Sequence, residues 1–201
     1  MKVTNIRMRL LSSENSKFVA VVSLTLDDAI VLGGIRLAKR EDGTMYLMMP
    51  AVRRNNGSYH ETFHPVDAKV REAMTLVVCE HYEKVLAEPA LEQQSIDLGK
   101  EGVAMNITDV NIYMLQASGS RVKAIASVTL DGGFVLKSIR VVEREADTFL
   151  AMPRFHRPAK EEGEEPRWVE TYHPVSAEAR KTLTEAILQA YEAKKNQMQT
   201  E

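Results

Sequence analysis

Apolar residues recur at Val3, Ile6, Met8 and Leu10, alternate again from Phe18 to Leu26, and give way to a segment over 30–37 enriched in β-branched residues. Period-two patterning of this kind predicts three consecutive strands. Asp27-Asp28 supplies a tight turn between the second and third. A fourth strand runs to a proline stop at Met49-Pro50, a basic loop follows, and a short fifth segment over 61–63 precedes Pro65, which ends the sheet. The period then changes. Asp67 stands at a helix N-cap position, Val70, Met74, Val77, Val78 and Tyr82 form one apolar stripe, and no Gly or Pro occurs before residue 86.

The same pattern is written a second time. Sliding the chain by 104 residues places 1–44 on 105–148 without a gap, and 16 of the 44 pairs are identical, where average usage would give roughly two or three. Ser23, Thr25, Leu26 and Asp27 fall on Ser127, Thr129, Leu130 and Asp131, and Val31, Leu32, Ile35 and Arg36 fall on Val135, Leu136, Ile139 and Arg140. After one deleted residue, Leu47, Met49 and Pro50 fall on Leu150, Met152 and Pro153. Beyond a loop six residues longer in the second copy the offset is 109, and Glu61, Thr62, His64, Pro65, Val66 and Arg71 fall on Glu170, Thr171, His173, Pro174, Val175 and Arg180. Asp131-Gly132-Gly133 repeats the turn, Ser176 the N-cap, and Ala179, Leu183, Ala186, Ile187 and Tyr191 the helical stripe.

The predicted fold is α+β: two tandem repeats, each an antiparallel β-meander sheet of four to five strands followed by a C-terminal α-helix. The chain divides into a first unit over 1–86, a linker over 87–104, a second unit over 105–195 and a tail over 196–201. With four acidic residues against one lysine, plus Pro89, Gly99 and Gly102, the linker is expected to run outside the cores.

Composition narrows the function classes. A chain of 201 residues with 44% hydrophobic and 27% charged residues can bury a core and is not a disordered polymer. Nothing approaches the roughly 18 uninterrupted apolar residues of a membrane span, and Arg7 and Arg9 interrupt the start where a signal peptide needs an apolar run. A cytoplasmic location without membrane contact is therefore expected. The single cysteine, Cys79, allows no internal disulfide and no multi-cysteine metal cage. A net charge of −2 and a pI near 6.2 require any nucleic-acid binding to come from a local patch. Residues 1–86 carry 12 basic and 10 acidic side chains and residues 105–195 carry 13 of each, so the first copy is the more cationic.

The ordered motifs, T-x-(V/I)-x-(I/M), A-x-x-S-x-T-L-D, (F/I)-V-L-x-x-I-R, (A/M)-M-P, a basic loop and E-T-(F/Y)-H-P-V before a terminal helix, closely resemble the SpoVG (stage V sporulation protein G, septation regulator) family. The second copy is the closer match, through KAIASVTLDGGFVLKSIRVV over 123–142 and FLAMPRF over 149–155. The resemblance implies a bacterial, non-enzymatic regulator with one such unit per chain, which dimerises through its sheet, binds DNA and RNA, and affects septation and gene expression. Two units in one polypeptide would then form an intramolecular pseudo-dimer, because tethering raises the partner's effective concentration to the millimolar range. A homo-oligomer through sheet edges is the other assembly.

Candidate nucleic-acid contacts follow. Arg53 and Arg54, matched by His156 and Arg157, occupy the loop where the family carries basic residues. Guanidinium groups there can hold phosphates while Tyr59 or Trp168 stacks on a base; a merely solvated loop is the alternative. Glu161, Glu162, Glu164 and Glu165 in the second loop oppose a phosphate backbone. Lys69, Arg71, Arg180 and Lys181 crowd positive charge into helix first turns, which a bound anion would favour, although intrahelical pairing such as Glu80 with Lys84 is the competing reading. His64 and His173 could act as general bases beside Glu61 and Glu170; a structural hydrogen-bonding role is favoured, since neither a nucleophile nor a glycine-rich anion cradle accompanies them. His60 with His64 is a weak metal signal, because Val169 replaces the first of them in the second copy. Cys79, Met48, Met49 and Met152 read as core residues. No metal, cofactor or catalytic residue is assigned. The leading expectation is a nucleic-acid-binding regulator, with a protein-interaction adaptor and, less favoured, a histidine-centred hydrolase as alternatives.

Overall fold

The computed structural model describes residues 2–12, 16–53, 56–98, 105–116, 119–145, 147–157 and 165–200. Strands β1 (Val3–Leu10), β2 (Phe18–Leu26) and β3 (Ile30–Lys39) form an antiparallel meander, because alternate residues such as Ile6, Met8, Ala20, Val22 and Leu24 bury their side chains on one face. Asp27 and Asp28 both take φ of 50°, the left-handed pair that a two-residue hairpin turn needs. Thr4 clamps this turn from the neighbouring strand: its hydroxyl accepts the Asp28 N–H at 3.0 Å and donates to the Thr25 carbonyl at 3.4 Å. Strand β4 (Met45–Met48) adds to β3 and stops ahead of Pro50.

The stretch after Pro50, a loop by its sequence pattern, is a hairpin, β5 (Ala51–Arg53) against β6 (Tyr59–Glu61), leading into β7 (Phe63–Pro65) and helix α1 (Ala68–Ala87). The Asp67 carboxylate caps α1 by accepting the Val70 N–H at 2.9 Å. The segment read as a free linker does not stay outside the core. A short turn over Pro89–Leu91 brings β8 (Ser95–Asp97) onto the β1 edge, with Leu91 and Ile96 packed against the core. An open edge strand leaves backbone groups unpaired, and this segment satisfies them.

The second copy repeats the plan: β9 (Ile107–Met114), β10 (Val122–Leu130), β11 (Phe134–Arg144), β12 (Asp147–Ala151), the hairpin β13 (Arg154–Arg157) with β14 (Arg167–Glu170), then β15 (Tyr172–Pro174) and helix α2 (Ala177–Thr200). Thr108 reproduces the Thr4 clamp, accepting from Gly132 at 3.0 Å and donating to Thr129 at 3.2 Å. Ser176 caps α2 through the Ala179 N–H at 3.1 Å. The helix runs on through residues that the sequence set aside as a tail.

The short strand before each helix leaves its own copy. Chain order alone assigns it to the sheet that precedes it, but β7 pairs with β11 and β15 pairs with β3. The first sheet therefore has the order β15-β3-β2-β1-β8 with β4 also on β3, and the second has β12-β11-β10-β9 with β7 also on β11. A bulge in β3 and in β11 prepares the exchange. Gly34 and Ser138 take φ of 72° and 64°, and the adjacent Gly33 and Lys137 N–H groups donate to the Thr171 and Thr62 carbonyls, each at 2.7 Å. Pro65 and Pro174 end the crossing strands, where no N–H is needed.

The exchange merges the two hydrophobic interiors. Phe63 lies 5.7 Å from Phe134 and 6.1 Å from Tyr172, ring centre to ring centre, and all three are fully buried. The Tyr172 hydroxyl donates to the Lys137 carbonyl at 2.6 Å, giving its polar tip a partner inside the core. Helix α2 buries Ala179, Leu183, Ile187 and Tyr191 as its stripe predicted, with Ala186 half-buried, while α1 buries Met74, Val78, His81 and Val85 and leaves Val70, Val77 and Tyr82 half-exposed. Of the methionines read as core, Met49 and Met152 are buried and Met48 is not, because it points outward from β4 at 37% exposure.

Glu143, at the end of β11, accepts from Lys195 at 2.7 Å and from the Tyr191 hydroxyl at 2.8 Å. The Lys195 hydrogen bond, followed by that from Tyr191, holds the carboxyl below its ordinary 4.5. Burial and Glu143 push Tyr191 up to about 12.

Two outcomes are expected. Phe63→Ala should cost about 3–5 kcal/mol, and because the strands are exchanged the intact chain should unfold in urea as one transition by circular dichroism and tryptophan fluorescence; two separated transitions would contradict the merged core. A carboxyl with a depressed folded-state pKa stabilises above its unfolded value and loses that contribution as pH falls through the folded one. Glu143→Gln should therefore flatten the decline of stability with acidification below about pH 4.5, as measured by melting temperature across pH 3–7.

Candidate nucleic-acid interface

Since residues of a strand alternate between faces, the outward positions of the second sheet line up across it. Tyr113, Ile125 and Arg140 form one cross-strand row, with Tyr113 at 70% exposure and Arg140 exposed. The hairpin β13–β14 stands beside this row and carries Trp168, 66% exposed, whose ring meets His156 edge-on at 5.4 Å. The first copy's hairpin, carried across with β7, completes a groove of about 910 Å³ bordered by Val52, His60, Tyr113, Arg140, Arg154 and Trp168. Arg154 shares its charge with Glu170 at 3.3 Å, whereas Arg140 has no ion-pair partner among the described residues. Flat aromatic faces next to guanidinium groups can stack bases and hold phosphates together.

The equivalent row on the first sheet is Arg9, Val21 and Arg36, so arginine stands where the second copy has Tyr113. Arg36 lies over the Phe18 ring at 5.0 Å, and Lys17 lies over the same ring at 5.5 Å. Arg7, also on β1, is exposed. Gly34 faces the second hairpin, where a Cβ would make ordinary contact with the Phe155 ring at 3.5 Å, so it is the φ of 72° and not lack of space that favours glycine.

Of the seven cations singled out from the sequence, none of the six described ones borders the groove. Arg53 is exposed on β5 opposite Tyr59, itself 74% exposed. Arg54 lies outside the described residues, as do Glu161, Glu162 and Glu164. Arg157 is half-buried at the end of β13, opposite Arg167. Lys69 is exposed in the first turn of α1, while Arg71 reaches Glu61 at 3.6 Å and so ties the helix start to the first hairpin. Arg180 is exposed, and Lys181 meets Glu185 at 3.8 Å along α2. The intrahelical pair expected of Glu80 and Lys84 does not form among the described residues. The sequence does not single out Tyr113, Arg140 or Arg154, and it marks His60 only as a weak metal signal. Their only signal is a large polar or aromatic residue at an outward strand position, and which outward positions converge depends on the crossing hairpins.

The histidine readings also change. Neither His64 nor His173 makes a side-chain hydrogen bond to a described residue; each is instead held by backbone pairing, opposite Val135 and Val31. Partial burial, then Lys137 and Arg71, hold the His64 imidazole below its usual range, opposed by Glu61. Among the described residues no group of three or more His, Cys, Asp or Glu is placed to hold a metal ion. Cys79 is half-buried against the core, and burial, with Glu83, pushes its thiol up.

Strand order, crossing hairpins and the aromatic–basic groove together define a duplicated α+β protein whose two copies exchange a strand. The chain belongs to the SpoVG family: the family's model matches residues 1–84 and again 105–193. Similar proteins are named "Putative septation protein SpoVG". That of Clostridium novyi is 40% identical over 93 residues, covering 46% of this chain and 86% of its own. That of Treponema denticola is 36% identical over 94 residues, covering 47% of this chain and 99% of its own. A Listeria monocytogenes relative with the same name and the suffix 1 is 40% identical over 88 residues, covering 44% and 79%. Each relative thus corresponds in length to one copy. These relatives are named for septation rather than for a reaction, and no described helix of this chain is long and apolar enough to cross a membrane.

Proposed function

We propose that this chain is a non-enzymatic regulator that binds DNA or RNA in the groove between the first hairpin and the second sheet, and through that binding influences gene expression and septation. The observation that carries the reading is the convergence of exposed Tyr113 and Trp168 on Arg140. Exposed aromatic faces are costly in water and useful to unpaired bases, so a single-stranded ligand fits best. The cationic row of Arg9 and Arg36 on the other sheet and the exposed Arg53, Lys69 and Arg180 are further cations available to a phosphate backbone. Arg71, Arg157 and Lys181 stay candidate contacts, as does Arg54, which lies outside the described residues. The crossing of β7 and β15 supports an intramolecular pseudo-dimer of the two units, and β8 on the β1 edge disfavours oligomers built through that edge.

A second reading, a protein-interaction adaptor, is favoured by the carboxylates that already occupy Arg71, Arg154 and Lys181. Titrating the 22.6 kDa single chain with labelled single- and double-stranded oligonucleotides at two salt concentrations separates the two. Direct binding gives an affinity that falls steeply with salt and quenches Trp168. Trp168→Ala or Tyr113→Ala should each cost about 1–3 kcal/mol of binding, and Arg140→Ala should lower the salt slope by about one. Absence of binding at low salt would hand the function to the adaptor reading.

A further inference from the structure

Helix α1 does not lie flush on its sheet. Between α1, β1 and the segment that returns as β8 is a cavity of about 500 Å³, walled by Leu26, Val70, Met74, Val77, Leu91 and Ile96. Its size falls within the roughly 300–1,000 Å³ of small-molecule sites. The lining is apolar with one buried exception. His81 is only 4% exposed, borders the cavity, and has an Nε2 atom with no hydrogen-bond partner among the described residues. Buried polar atoms are almost always paired, so an unpaired one calls for an explanation.

The fold does not require this imidazole. The repeat places Ala190 at the position of His81, so the second copy builds the same helix face with a methyl group. The far wall comes from Leu91, Ile96 and Leu98, which belong to the segment between the copies. Exposed Lys2, Lys84 and Glu80 also border it, and no ion pair joins Lys84 to Glu80. Burial, and then Lys84, hold His81 below its usual range, which keeps the imidazole neutral near pH 7. A neutral Nε2 offers either an N–H or a lone pair, depending on tautomer.

We propose that this cavity binds an elongated apolar small molecule ending in one oxygen-bearing headgroup, of the class of medium-chain alcohols and carboxylic acids, with the headgroup hydrogen-bonded to His81 Nε2. A hydroxyl or carboxyl oxygen can serve either tautomer, and a carboxylate would also be drawn to Lys84. The chain of the ligand replaces solvent along the Val70, Met74 and Val77 face. This site is separate from the groove, so its failure would leave the nucleic-acid reading untouched.

The test is calorimetric titration of the intact protein with decanoic acid and with 1-decanol, each below its solubility and micelle limits. Saturable one-site binding of at least one probe is expected, weakened at least tenfold by His81→Ala and abolished by Ala73→Trp, which fills the cavity from an exposed helix position. Preference for the acid would assign a bordering lysine, Lys2 or Lys84, to the headgroup beside His81, and preference for the alcohol would assign the headgroup to His81 alone; both agree with the proposal. Absence of saturable binding by either probe, or unchanged binding in either variant when circular dichroism shows it folded, overturns it. Should His81→Ala alter the fold, Ala73→Trp decides the question.

Discussion

The architecture depends on two backbone hydrogen bonds and the aromatic contact beneath them. Gly33 and Lys137 each turn an N–H out of a bulge toward a carbonyl of the other copy, Thr171 and Thr62 respectively, at 2.7 Å. The strands so captured deliver Phe63 and Tyr172 into a shared interior beside Phe134. Neither copy could keep this arrangement alone without exposing the aromatic rings and leaving the bulge donors unpaired in the core. The duplication is thus more than two modules on a string: each copy supplies the strand that finishes the other.

Because β5–β6 and β13–β14 are fastened to the crossing strands, they are carried over as well. Thr62 and Thr171 each return an N–H and a hydroxyl hydrogen bond to the proline carbonyl that opens the hairpin, Pro50 or Pro153. The hairpins are thereby held at a fixed distance from the sheet face they overhang. A groove formed in this way has walls from both copies, and its chemistry depends on pairs of residues far apart in sequence, such as His60 and Tyr113.

The two copies keep their framework and vary what faces outward. Thr4 and Thr108 are identical because each clamps a left-handed turn. Arg9 and Tyr113 differ because both project from the sheet, where no packing constrains them. Gly34 and Ser138 share a positive φ yet differ in what lies above: the Phe155 ring covers the glycine, while the serine borders the open groove. His81 and Ala190 break the rule, since a buried position has gained a polar atom in one copy only.

Much of this was legible in the sequence. The strands, turns, N-caps and helices come from patterns within a few residues of each other, and period-two alternation, Asp-Asp or Asp-Gly pairs and an Asp or Ser before an apolar stripe act locally. The duplication was equally plain, since a gapless match over 44 residues needs no coordinates. What the chain alone could not reveal was which sheet the 63–65 and 172–174 strands join. Both sheets offer a bulged strand of nearly the same sequence, and local pattern cannot choose between equivalent edges. That choice belongs to tertiary structure, where the aromatic side chains find a common interior. With it were decided the groove of Tyr113, Arg140 and Trp168, the docking of the 95–97 segment on β1, and the cavity beside His81, all of which depend on distances that no sequence spacing encodes.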